Sequence, residues 1–364
     1  MNSLLQIMQS FQRRFILYRI IIKNRLFQIK HATSKPGKIY LDLTGYSLNR
    51  YLYVYPTFLS RQFRVHLSVD HNLVVSLRDY SDWILDEPNI YLTARQIGDR
   101  KAIVKYNKRK FEFRVGFNYF TTLSWSKADF IFPYTMHPGF YRFGHIKDIH
   151  ALRSKERRIN MLFIGAVNIQ NYEVGHMRAI FDTIPRWSVV QHLLHQCKHI
   201  YVPKELDELD NKIKTRDSSV ILCITSNFMI TQARLPEYYG ISNFHLALPG
   251  VVMPLSHNVI ESMSVGCIPV IQNHDVFYPS LEDGKNCLVY KSLEELEQII
   301  VKCASMSQPD IQKLQEGVLQ YYDSYLSLEG FGHNFIAFLE NDATTESQLV
   351  WNAEHESVRI LQSQ

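Results

Sequence analysis

Cysteine is scarce in this sequence: Cys197, Cys223, Cys267, Cys287 and Cys303 are five in 364 residues, odd in number and with no Cys-x-x-Cys pair. That spacing argues against a disulfide framework or a thiolate zinc site and favours a reducing, cytoplasmic compartment. No uninterrupted apolar run reaches the ~18–20 residues that cross a bilayer, and the first residues lack the small-residue cleavage site of a secretory leader. No two aspartates stand as Asp-x-Asp, and no His/Glu cluster has metal-ligand spacing, so neither a metal nor another cofactor is expected. Charge of one sign is also in short supply. Forty Lys and Arg against 35 Asp and Glu leave a net +5. This balance, spread along the chain, argues against a dedicated nucleic-acid binder and weakly for an anionic ligand.

What is present is apolar material for two cores, 46% of the residues, arranged as alternating strands and helices. Four segments are expected. Residues 1–30, "MNSLLQIMQSFQRRFILYRIIIKNRLFQIK", mix Leu, Ile and Phe with Arg13, Arg14, Arg19, Lys23, Arg25 and Lys30. They read either as a basic amphipathic helix lying on an anionic membrane surface at the cytoplasmic face, or as an ordinary helix packed on the next domain. In residues 31–150, "KIYLDLTG", "RVHLSVD", "NLVVSL", "NIYLTA" and "KADFIFPY" read as strands of a parallel α/β domain. The polar stretch from Pro138 to Arg158 reads as a linker. Residues 151–330 return to strand and helix alternation, and 331–364 form a helical tail. The fold class is therefore α/β, two Rossmann-like doubly wound domains facing across a cleft.

Open α/β sheets bind ligands at the carboxyl ends of their strands, where helix N-termini converge. "FHLALPG" is a predicted strand, "VVMPL" a crossing loop and "SHNVIESM" the start of a helix. The first-turn N–H groups of such a helix suit a diphosphate, with Ser256 or Asn258 as the N-cap. Glu261, three residues beyond Asn258, can accept hydrogen bonds from a ribose diol. The same spacing also describes a capping box, which needs no ligand.

"RINMLFIGAVN", "HMRAIF", "PEYYGISNFHLALPG", "SHNVIESMSVGCIPVIQNHDVF" and "DGKNCLVY" together resemble, in order and spacing, the C-terminal half of exostosin-like glycosyltransferases, a branch of the two-domain GT-B class. The resemblance covers somewhat over a third of the chain. It implies a nucleotide-sugar-dependent transferase in which Glu261 binds the donor ribose, Ser256, His257 and Asn258 lie near the diphosphate, and Gly165 and Asn168 stand at the opposite lip. Arg178 and Arg234 become candidates for phosphate or structural contacts. Asn258 stands where family members often carry arginine, with His257 or Arg234 as substitutes, and Met253 replaces the first of a glutamate pair found in related enzymes.

The first domain does not match the family, and its candidates come from residue chemistry. Asp70 and His71 end a predicted strand, and His137 in "YTMHPGFY" leads into the linker; each is a candidate general base. Asp42, inside a strand, reads as buried or paired. Thr44, Gly45 and Ser47 occupy the loop after the first strand, an acceptor-side position. The partners expected are a nucleotide-sugar donor, UDP-sugar favoured, and a glycan or lipid-linked glycan acceptor, with the negatively charged membrane as a further surface and no nucleic acid. Two alternatives stay open. "MHP" also resembles the His-Pro motif of transferases that use CMP-activated acidic sugars, and the chain could be a non-catalytic nucleotide-sugar binder on the same scaffold.

Overall fold

The computed structural model describes residues 2–44, 51–70, 81–98, 100–121, 128–173, 175–215 and 219–363. Gly45, Ser47, His71 and the expected strand at 72–77 lie outside the described residues. The chain forms two compact units, Met1–Phe132 with Phe331–Ile360, and Pro133–Gly330 with Leu361–Gln364. The segment expected as a linker thus belongs to the second unit, where Pro138–Arg142, His145–Asp148 and Ile149–Arg153 are helical turns. Its apolar residues explain this: Phe140, Tyr141, Ile149 and Leu152 are buried, a pattern masked in the sequence by the charges between them.

Strands are numbered in chain order. The first unit holds β1 (Gly37–Asp42), β2 (Phe63–Ser68), β3 (Ile90–Thr93), β4 (Lys101–Tyr106), β5 (Arg109–Gly116), β6 (Phe130–Ile131) and β13 (Gln348–Val350). Their order is β3-β2-β1-β4-β5-β13-β6. The sheet is mixed where a parallel one was expected, because β4 runs antiparallel to both β1 and β5. A two-residue turn makes this reversal: Asn107 and Lys108 both have positive φ, 48° and 63°, the type I′ geometry that matches strand twist. The tail is not only helical. β13 pairs in parallel with β5 and with β6, and Trp351 beyond it is fully buried. Phe331, Phe335 and Phe338, at helical spacing on one face, meet Phe130, with ring centroids 4.9–5.6 Å apart.

The second unit holds β7 (Ile159–Gly165), β8 (Ile200–Tyr201), β9 (Val220–Ile224), β10 (Ser242–Ala247), β11 (Ile268–Ile271) and β12 (Leu288–Val289), in the order β12-β11-β10-β7-β9-β8. All its pairings are parallel. Such a sheet is covered on both faces, and β11, "IPVI", is buried at every position. From β7 the chain goes to one side, through β8 to β9, then crosses to β10, β11 and β12 on the other. The loops leaving β7 and β10 therefore diverge, and the carboxyl ends of these two strands form the topological switch point.

Candidate functional site

The helix His257–Ser264 follows β10 at that switch point. Ser256 is its N-cap, with extended backbone and no side-chain cap hydrogen bond; its backbone carbonyl accepts the Val259 N–H at 3.3 Å, while its side chain takes none of the first-turn N–H groups. At its other end Gly266 adopts φ 76° and donates to the Met263 carbonyl, an ending that a side chain would strain. Arg153 Nε donates to the Ser264 carbonyl (2.9 Å) and Arg157 Nη2 to that of Val265 (2.7 Å). Two cations at the C-terminus complement the helix dipole and hold the helix in place.

Glu261 lies five residues beyond the cap and 2% exposed. A capping box needs its acid three residues beyond the cap, so Glu261 does not close one here. Instead its Oε1 accepts the backbone N–H of His137 at 3.2 Å. One helical turn earlier, His257 Nδ1 meets the Thr135 carbonyl at 2.7 Å and its ring stacks on Tyr134, centroids 5.3 Å apart. Asn258 donates to the carbonyl of Ile164 in β7 at 2.6 Å. The helix is thereby braced on one side by residues 134–137 and on the other by the end of β7.

His137 was expected on the acceptor side. The structure puts it in the unit that carries Glu261, its ring edge-on to His257 at 5.7 Å. Its Nδ1 accepts the Gly139 N–H at 3.2 Å and caps the turn Pro138–Arg142. Gly165 ends β7, and a side chain there would meet Phe163 at 2.9 Å and Arg186 at 3.3 Å. Asn168 caps the turn Ile169–Tyr172. Arg178 and Arg234 are not gathered with these residues by any hydrogen bond. Arg178 donates to Ser188 (3.0 Å) beside Glu173, and Arg234 donates to Tyr238 (2.9 Å) beside Glu237.

The cation that does stand at the switch point is Arg186, which sequence reasoning missed. It begins the helix Arg186–Gln196, is 6% exposed, and donates to the carbonyls of Pro249 (2.9 Å), Ala166 (3.1 Å) and Leu248 (3.4 Å). These carbonyls belong to the loops after β7 and β10. Its guanidinium lies 4.2 Å from the Tyr172 ring centroid, and no ion pair joins it to a carboxylate among the described residues. Burial lowers its pKa from the usual arginine value, while neighbouring tyrosines oppose that shift. Its charge is felt nearby: burial first, then Arg186, hold His245 down at about 3. Burial, with Glu261 next in order, raises Tyr239 well above the usual phenol range. One sequence signal existed. An arginine in the first turn of a helix runs against the dipole preference.

In the first unit, Asp42 is fully buried, as expected. It accepts from Ile97 N (2.7 Å), Gly98 N (3.2 Å), Thr44 N (3.2 Å) and the Thr44 hydroxyl (2.7 Å), tying the loop after β1 to the segment before β4. Asp70 stands half-buried just past the carboxyl end of β2. Elsewhere in the second unit, His192, Cys197 and Glu297 bring ligand-type atoms within 4.8 Å of one another, with His192 and Glu297 paired at 2.6 Å. Only the fold assembles this trio, from two helices about a hundred residues apart.

No family model matches the sequence, and no curated protein matches it. Among solved structures, the chain is similar to the UDP-forming α,α-trehalose-phosphate synthase of Burkholderia xenovorans in complex with glucose-6-phosphate. Identity there is 8% over 83% of this chain and 72% of that one, with a TM-score of 0.32. It is also similar to Alr3699/HepE of Anabaena in complex with UDP and glucose, 12% identical over 83% of this chain and 71% of that one, with a TM-score of 0.31.

Proposed function

We propose that this chain is a glycosyltransferase that moves a sugar from a nucleotide-sugar donor, UDP-sugar favoured, to a glycan or lipid-linked glycan. The observation that carries this reading is the buried carboxylate of Glu261. It is held in the second turn of the helix that follows β10 at the switch point of a parallel sheet, with the Arg186 cation bonded to the loops after β7 and β10. Burying a guanidinium without an acid leaves positive potential that an arriving diphosphate offsets. The helix N–H groups beginning at His257 hold the phosphates, and Glu261 accepts from the ribose diol. As the bond to the sugar breaks, charge develops on the departing diphosphate, and the helix N-terminus and Arg186 stabilise it without calling on a metal. On the acceptor side, Asp70 is the remaining described candidate for a general base, and Thr44 for acceptor contact.

The position of His137 favours a second reading, transfer of a CMP-activated acidic sugar. His137-Pro138 lies in the same unit as Glu261 and beside His257. A thermal-shift screen of the purified chain against UDP, GDP, CMP, dTDP and ADP, repeated on Glu261→Gln, separates the readings. A shift with UDP that collapses in the variant supports the first, and a shift with CMP alone supports the second. If no nucleotide shifts the wild type, both fail. Binding without transfer or donor hydrolysis on any acceptor would identify a non-catalytic binder.

A further inference from the structure

The first helix, Asn2–His31, buries the polar side chains of Asn24 and Gln28 and exposes a row of apolar ones. Its inward line is Leu17, Ile21, Asn24 and Gln28, all buried. Asn24 donates to the carbonyls of Leu85 (2.9 Å) and Ile90 (3.0 Å) and accepts from Leu92 N (2.9 Å). Gln28 donates to the carbonyls of Glu87 and Ile90 (2.8 Å each) and accepts from Asn89 N (2.8 Å). Six hydrogen bonds to the backbone around β3 fix the rotation of the helix about its axis.

That rotation determines what faces outward. Phe15, Tyr18, Ile22, Leu26 and Ile29 recur at intervals of three and four, the spacing of one helical face, and are 56–80% exposed. At about 100° per residue, Arg14 and Arg25 project along one border of this stripe and Arg19, Lys23 and Lys30 along the other, all exposed. The helix contains no Asp or Glu. Scattered exposed apolar residues are ordinary, but a stripe about 21 Å long framed by cations on both sides is not.

We infer that this face seats the protein on an anionic lipid surface, the apolar stripe entering the boundary between headgroups and acyl chains and the flanking cations meeting lipid phosphates. Charge decides the occupant. A second copy laid against the stripe would oppose cation to cation along both borders, whereas anionic headgroups complement them. Among the described residues no helix is long and apolar enough to cross a membrane, so the helix lies on the surface. This inference stands apart from the transferase reading.

The test is co-sedimentation of the full chain with vesicles of phosphatidylcholine, alone or with about 30% phosphatidylserine. The wild type is expected to pellet with the mixed vesicles, not with phosphatidylcholine alone, and to release as salt rises. Arg19→Gln with Lys23→Gln is expected to weaken binding roughly 30-fold, and Ile22→Ser with Leu26→Ser to abolish it. These exposed positions should leave the melting temperature and any nucleotide shift unchanged, so loss of lipid binding cannot be assigned to misfolding. Failure of the wild type to bind mixed vesicles overturns the inference. So does a concentration-dependent dimer in light scattering that Ile22→Ser with Leu26→Ser converts to monomer, which would make a second copy the occupant.

Discussion

Replacing Glu261 by glutamine removes one charge and almost nothing else. The amide oxygen can still accept the His137 N–H that Oε1 now accepts at 3.2 Å, so the unliganded protein should lose no more than about 1 kcal/mol. A ribose hydroxyl bonded to a carboxylate is a charge-assisted pair, and exchanging it for a neutral one costs about 2 kcal/mol, or roughly 30-fold in affinity. At a nucleotide concentration ~100-fold above the wild-type Kd, mass action stabilises the folded state by about 2.7 kcal/mol, and in the variant by about 0.9 kcal/mol. For a unit of about 200 residues, 1 kcal/mol moves Tm by about 2–4 °C. A wild-type shift of roughly 5–11 °C should therefore fall to roughly 2–4 °C in the variant. Glu261→Ala also removes the acceptor for His137, lowering the unliganded Tm by the equivalent of about 1–3 kcal/mol. If Glu261→Gln keeps the full nucleotide shift while Glu261→Ala is destabilised, the carboxylate is only a bracket for residues 134–137, and the donor-site reasoning is refuted.

Three further outcomes follow from the same geometry. Arg186→Met should cost about 3–5 kcal/mol in urea unfolding, because three buried carbonyls lose their donor; Arg186→Lys should fall between, and a wild-type midpoint in both would sink the claim that this cation joins the two loops. His245, held at about 3 against an ordinary 6.5, takes up a proton on unfolding between those values. Its contribution is complete above pH ~6.5 and is lost as pH falls toward 3, about 2–3 kcal/mol by pH ~4.5. His245→Asn, which cannot titrate, should show a shallower acid decline in Tm, and parallel pH profiles would contradict this. Asp42→Ala should destabilise the first unit by about 2–4 kcal/mol and open the segment around Ile97 to proteases, since the backbone N–H groups of Ile97 and Gly98 lose their acceptor. An unchanged cleavage pattern would count against it.

Much of the second unit was legible because its signals are local. The apolar run of β7, the small-residue end of β10 and the glutamate helix each occupy fewer than a dozen consecutive residues, and their period and flanking turns can be read directly. The start of that helix was readable to within two residues, with Ser256 and not Asn258 as the cap. Gly165 at the end of β7 and Asn258 bonded to the Ile164 carbonyl lie where the carboxyl-end rule, which follows from chain direction alone, points. The antiparallel β4 was not legible. Its turn is Asn-Lys and lacks the glycine that advertises a two-residue hairpin. Nor could β13 be read, three residues too short to show a period.

By itself the sequence determined the α/β class, the places of most strands and helices, and the basic, acid-free character of the first thirty residues. Tertiary structure alone decided that Arg186 is buried against carbonyls from two distant loops and that His137 lies beside His257 and Glu261. It also decided that Gln348–Val350 completes the first sheet and that the first helix turns its apolar stripe outward. The physical reason is range. Periodicity and turn chemistry act over a few residues, whereas which side chain meets which carbonyl depends on the packing of segments that can lie more than two hundred residues apart.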